Sequence, residues 1–168
     1  QPAFFLGPGK AFGEKDGKAE NNMNKNFINK KLEFIAGHIE SLKEYRDSSL
    51  QDLKNKAKDL KYVEKLIQEL VDCAIDINQF ILEEAVSEKP WSSKQSFRDI
   101  QGKVLEKYKL GWPEETLKLF IDSVAFRNEI VHSYDVNVYI IWSKRNIKTI
   151  FELYAGYSRT IMFLLKKL

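Results

Sequence analysis

From about residue 26 onward, apolar residues return every three or four positions, the spacing that lines one face of an α-helix. Ile28, Leu32, Phe34, Ile35, Ile39 and Leu42 predict a first helix over about 26–46. Asp47–Ser49 offer polar capping side chains for a break after it. A longer stripe follows in Leu60, Val63, Ile67, Leu70, Val71, Ala74, Ile77 and Ile81. It runs to about Val86, where SEKPW stops it, because Pro90 disfavours helical backbone in the residue before it. Ser92 or Ser93 caps a third helix through about Tyr108. In the LGWP stretch, Gly111 suits a helix C-terminus, and Pro113, Glu114 and Glu115 suit the first turn of a fourth helix. A fifth helix is predicted from about Val136 to Leu168 on Ile140, Ile141, Ile147, Ile150, Phe151, Tyr154 and Met162. No β-hairpin signal interrupts this pattern. The expected fold is all-α, an up-down bundle of four to five helices with antiparallel neighbours where connections are short.

Residues 1–22 break the periodicity. Half of the glycines (Gly7, Gly9, Gly13, Gly17) and half of the prolines (Pro2, Pro8) fall there. Such a segment cannot close a core. Met23 stands just ahead of the first helical stripe, so 1–22 is expected to be a flexible N-terminal tail or an appended segment, with 23–168 as the helical domain.

Composition narrows the class without naming a function. At 168 residues, with 43% apolar and 30% charged residues, the chain suits one globular domain with a real core. A formal net charge of +3 permits a local basic surface but does not announce nucleic-acid binding. One cysteine, Cys73, excludes an internal disulfide framework and is consistent with a reducing cytoplasm. Its neighbours Val71, Ala74 and Ile75 make it read as a small buried hydrophobe. With one Cys and two His, His38 and His132, no structural zinc set can be assembled. No apolar run approaches a bilayer span, so no membrane partner is expected.

The chemistry concentrates in FRNEIVHSY, Phe126–Tyr134. At roughly 100° per residue, Leu117, Phe120, Ile121, Val124 and Val131 share one side of the fourth helix. Asn128 falls in the middle of that side, His132 within about 60° of it and Arg127 on its flank. Turning an amide, an imidazole and a guanidinium toward an interior is costly unless they have partners or a purpose. Arg127 and His132 are five apart, about 140° round an unbroken helix, so one chain does not converge them on a small target. Asn128 and His132, four apart, do share a face. Arg127 joins them if its side chain swings round, if the helix loosens, or if a second copy supplies part of the site in a symmetric dimer. Imidazole exchanges protons near neutral pH, and a guanidinium fork suits phosphate. The set therefore fits metal-independent cleavage of RNA, with the 2′-hydroxyl as nucleophile. It fits an anion-binding pocket equally well.

Two other groups carry charge in a pattern. Asp72 and Asp76 are four apart and read as a polar flank beside the Val71–Ile77 stripe. Lys144, Arg145 and Lys148 read as a solvated face in preference to an RNA track. No glycine-rich phosphate loop or metal-ligand motif accompanies them, and no cofactor is expected.

FRNEIVHSYDV resembles the signature of the HepT-like branch of the HEPN superfamily: Arg, Asn, three residues, His, one residue, Tyr. LVDCAIDINQFILEE, Leu70–Glu84, is similar to the family's upstream segment, and the order of helices agrees over about residues 27–168. Ala125–Phe126 departs from the family's usual Gly before an apolar residue, a change expected to affect packing more than chemistry. The resemblance implies a helical homodimer acting as the toxin of a toxin–antitoxin pair, with a minimal nucleotidyltransferase as antitoxin partner and RNA as substrate. It implies a composite ribonuclease site at the dimer interface. There Arg127 would stabilise phosphate charge, His132 would act as acid/base, and Asn128 would orient or bind. It also implies silencing by AMP transfer to Tyr134. The alternative is a non-catalytic helical subunit that presents a nucleotide or substrate to a nucleotidyltransferase.

Overall fold

The computed structural model describes the backbone of residues 7–132 and 136–168, with side chains from residue 25 onward within those spans. Among the described residues there are six α-helices and no strand. They are α1 (Gly7–Leu42), α2 (Ala57–Val86), α3 (Ser93–Lys103), α4 (Glu114–His132), α5 (Val136–Ser143) and α6 (Ile147–Lys167). The backbone of α1 is helical from Gly7, inside the segment expected to be a tail. The chain divides into one unit ending at Lys30 and a second, Lys31–Leu168, which holds everything described below.

In the second unit α2 is the spine. Val63, Ile67, Leu70, Val71, Ala74, Ile77 and Ile81 are all buried, as the apolar spacing predicts. From α1, Leu32, Ile35 and Leu42 are buried, whereas Phe34 of the expected stripe is 59% exposed. The break after α1 uses the anticipated polar segment in a specific way. The Ser49 amide donates to Asp52 Oδ2 at 2.8 Å, and the Asp52 amide donates to Ser49 Oγ at 3.2 Å. These reciprocal bonds satisfy backbone donors as a capping box does.

Ser92 caps α3, its Oγ accepting from the Gln95 amide at 3.0 Å. The expected third helix stops earlier than Tyr108. α3 ends at Lys103 and a tighter 3-10 turn, Leu105–Tyr108, continues the chain. Lys109, not Gly111, takes the left-handed conformation at its end, with φ of 58°. Gly111 instead lies against Gln101, whose side chain accepts from the Trp112 amide at 2.8 Å and donates to the Trp112 carbonyl at 2.7 Å. An added Cβ would come within 3.2 Å of that amide, so the residue is small for packing reasons.

The expected fifth helix is two helices. Asn146, in extended backbone, accepts from the Lys148 amide at 2.9 Å and starts α6 afresh. The Ile147 amide donates to the Ser48 carbonyl at 2.9 Å, which ties the new helix start to the turn after α1. The break resets the helical phase. Ile147, Ile150, Phe151, Tyr154, Tyr157, Ile161 and Leu164 are buried, while Ile140, Ile141 and Met162 are exposed.

Aromatic side chains fill the centre between α3, α4 and α6. Phe97 stacks on Phe120 at 5.2 Å, and Tyr154 and Tyr157 meet Phe120 edge-on. Their hydroxyls, fully buried, find acceptors. Tyr157 donates to Asn78 Oδ1 at 2.6 Å, with the Ala74 carbonyl 3.0 Å away, and Asn78 in turn donates to Ser96 Oγ at 3.3 Å. Burial raises the pKa of both tyrosines above the ordinary phenol value. The result is a rigid frame behind α4.

Candidate functional site

α4 carries Arg127, Asn128 and His132, and its rotation is set by the residue just before them. Phe126 is fully buried between rings of α5, stacked on Trp142 at 5.5 Å and 11° and against Tyr139 at 5.7 Å. With Phe126 turned into α5, the next residue, about 100° on, faces α2. Arg127 Nε donates to Asp72 Oδ1 at 2.6 Å, and its Nη1 donates to Asn128 Oδ1 at 3.1 Å. The two ionised side chains retain 25% and 34% exposure, so the pair lies at an open edge of the bundle. Two of the five guanidinium donors bond to described residues, which orients the plane toward α2.

The Asp72–Asp76 row is therefore more than a polar flank. Asp76, one turn along α2, accepts from Lys31 of α1 at 2.9 Å, and that hydrogen bond raises the lysine pKa. Each carboxylate holds one cation. Cys73, between them, is half-buried, and burial pushes its thiol pKa up, away from reactivity. The sequence does contain the signal for this: two carboxylates at a four-residue spacing on one helix face, inside the segment that resembles the family's.

Asn128 is half-buried and serves as the second acceptor for the guanidinium. Leu117, Phe120 and Val124 are buried as the helical wheel predicts, but Val131 is 39% exposed and Glu129 is buried in its stead. The difference has a physical cause. α5 covers α4 from the Phe126 side, so the buried sector swings round in the last two turns. His132 is exposed and is the final residue of α4. Five residues beyond Arg127, it is advanced by roughly 7.5 Å and turned by about 140°. The structure thus joins Arg127 to Asn128 and leaves His132 exposed further along the same helix. Tyr134 lies outside the described residues.

Beside the motif, Glu64, Glu129, Ile130, Val136 and Tyr139 line a cleft of about 330 Å³. Tyr139 donates to Glu64 Oε2 at 2.5 Å, and its pKa is raised, first by burial and then by that bond. Glu64 and Tyr139 are 75 residues apart, and neither stands out in its local sequence. Among the described residues, no three His, Cys, Asp or Glu side chains gather as a metal site. No described helix is long and apolar enough to cross a membrane.

The family described as Ribonuclease HepT-like matches residues 35–151, more than half of the chain. The chain belongs to the HepT-like ribonuclease family. A tRNA nuclease HepT from Aphanizomenon flos-aquae (strain 2012/KM1/D3) is 32% identical over 108 residues, covering 64% of this chain and 69% of that protein. The family expected from FRNEIVHSYDV is thereby established. The matched span of this HepT-like chain contains Asp72, Arg127, Asn128 and His132, so the frame and the polar set lie in the shared part of the sequence.

Proposed function

We propose that this protein is an endoribonuclease toxin that cleaves RNA without a metal ion, using Arg127 and His132 from two copies of the chain facing one cleft. The observation that carries the reading is the held guanidinium. Arg127 is oriented by Asp72 and Asn128, on the same helix that carries the exposed His132. In the proposed step the ribose 2′-oxygen attacks the adjacent phosphorus and gives its proton to an imidazole. The bond to the 5′-oxygen breaks, and that oxygen takes a proton from an imidazolium. The products are a 2′,3′-cyclic phosphate and a 5′-hydroxyl. Arg127 stabilises the extra negative charge on the phosphoryl oxygens as it develops.

The homodimer in this reading answers a geometric need. One helix separates its own Arg and His by about 140°, and a two-fold contact supplies the second imidazole that the acid and base roles require. Exposed apolar side chains within the motif and just after it, Val131 at 39%, Val136 at 66%, Ile140 at 42% and Ile141 at 58%, favour such a contact. The name of the 32% identical relative makes tRNA the substrate class to test first. A minimal nucleotidyltransferase is the proposed antitoxin, silencing the site by AMP transfer to Tyr134.

The experiment is cleavage of end-labelled tRNA by purified protein in EDTA. Product ending in a 2′,3′-cyclic phosphate, lost in His132→Ala while the dimer stays folded, is the expected result. Undiminished cleavage by His132→Ala removes the mechanism. Nucleotide binding without turnover by the unmodified protein favours the non-catalytic presenting subunit.

A further inference from the structure

The basic corner between α5 and α6 is built differently from a solvated face. Arg145 is half-buried, and its guanidinium carbon lies 4.8 Å from the centroid of the Trp142 ring. Trp142 is itself buried, 3% exposed, and stacked on Phe126, the residue that precedes Arg127. Arg145 Nε is buried without a hydrogen-bond partner. Among the described residues, neither Arg145 nor its neighbours Lys144 and Lys148 has an ion-pair partner. Asp122 lines the same small cleft as Arg145 without coming within ion-pair distance. The turn joined to this corner through Ser48 carries Arg46 and Asp47, whose charges offset.

Two further facts point to an anion. From Ser143 to Phe151 the chain has three cations and no carboxylate. A cation stacked on a buried indole loses less freedom on binding than a lysine in water, because its plane is already fixed.

We propose that Arg145, Lys144 and Lys148 form a subsite for RNA phosphates, displaced from the scissile bond and rigidly coupled to it. The proposal rests on the ribonuclease reading and adds where the substrate strand runs. α5 has eight residues, about 12 Å of helix, and it follows the motif in the chain and ends at this corner. The stack Arg145–Trp142–Phe126 joins the subsite to the residue beside Arg127. Phosphates bound there therefore fix the register of a strand whose scissile phosphate meets Arg127. These contacts carry no base information. They add affinity and position.

The test separates this inference from the reading beneath it by measuring binding in the cleavage-dead His132→Ala background. Fluorescein-labelled tRNA is titrated over a range of salt concentrations. Lys144→Gln with Lys148→Gln, both at exposed positions, is expected to reduce the salt slope by roughly 1.4 to 1.8, at about 0.7 to 0.9 per phosphate contact. Adding Arg145→Gln is expected to bring the loss to roughly 2 to 2.7 and to weaken binding at least tenfold at 0.1 M salt. With His132 intact, the same changes are expected to raise KM and leave kcat within a few-fold. Unchanged affinity and slope in the triple variant overturn the subsite while leaving the nuclease reading in place. Failure of the unmodified protein to bind tRNA overturns both. Lost binding of the nucleotidyltransferase with RNA binding intact shows a protein-docking corner and also overturns the proposal. A thermal melt of each variant checks folding, and Arg145→Lys, which keeps charge without the planar fork, is expected to fall between the parent and Arg145→Gln.

Discussion

Asp72 takes no part in bond making in the proposed mechanism, yet its removal is expected to slow cleavage through Arg127. Asp72→Ala deletes the 2.6 Å acceptor of Arg127 Nε and leaves only the 3.1 Å bond from Nη1 to Asn128. A hydrogen bond to a charged partner contributes about 1.5–3 kcal/mol. Here the two side chains remain a quarter and a third exposed, so solvent screening brings the expected effect to about 1–2 kcal/mol. At about 1.36 kcal/mol per decade, that is a roughly 5- to 30-fold fall in kcat/KM, provided the lost orientation is felt in the transition state. The assay is single-turnover cleavage of end-labelled tRNA, with kcat and KM resolved. Asp72→Asn, which keeps a neutral acceptor, is expected to recover part of the loss. A merely structural role predicts the same loss whether or not Arg127 is present. A positioning role predicts that Asp72→Ala costs nothing further once Arg127 is Ala. Cleavage by Asp72→Ala within twofold of the parent, in a variant that folds, would refute the reasoning. So would additive losses in the double variant.

Two further outcomes test the frame and the proposed switch. Phe126→Ala empties a fully buried site between Trp142 and Tyr139 and is expected to cost roughly 3–5 kcal/mol in denaturant unfolding, with cleavage lost along with the α5 contact; an unchanged midpoint contradicts the role given to that stack. Co-expression with a cognate minimal nucleotidyltransferase is expected to raise the intact mass by one or more AMP units, an increase absent in Tyr134→Phe; an unshifted mass in the unmodified protein removes the switch.

The sequence made the frame legible where burial is periodic. Val63 through Ile81 announce α2 because that helix is covered along one continuous side, and the apolar spacing records it. The break at Lys144–Asn146 was not legible as apolar pattern, because β-branched and aromatic residues continue on both sides of it. Only the Asn146 cap marks it, and a lone Asn is a common surface residue. Val131 was misplaced for a related reason. A helical wheel assumes one buried side, whereas α4 is covered by α2, α3, α5 and α6, so its buried sector shifts along its length. In the site, Arg127, Asn128 and His132 stand out as polar residues on an apolar helix. Asp72 stands out only as half of a carboxylate pair and Glu64 not at all, because their partners lie 55 and 75 residues away and only folding brings them together.

The same geometry explains how the proposed two-chain site is encoded in nine residues of one chain. Phe126 must turn inward to α5, and that fixes Arg127 against α2 and Asp72. Once Arg127 is fixed there, the helix pitch dictates where His132 emerges, some 140° round and about 7.5 Å further along. Exposure alone does not require this spacing, since the Val131 position, one residue nearer to Arg127, is 39% exposed as well. In the proposed two-fold dimer the same offset becomes useful, since each copy then offers a held cation to one side of a shared strand and an exposed imidazole to the other.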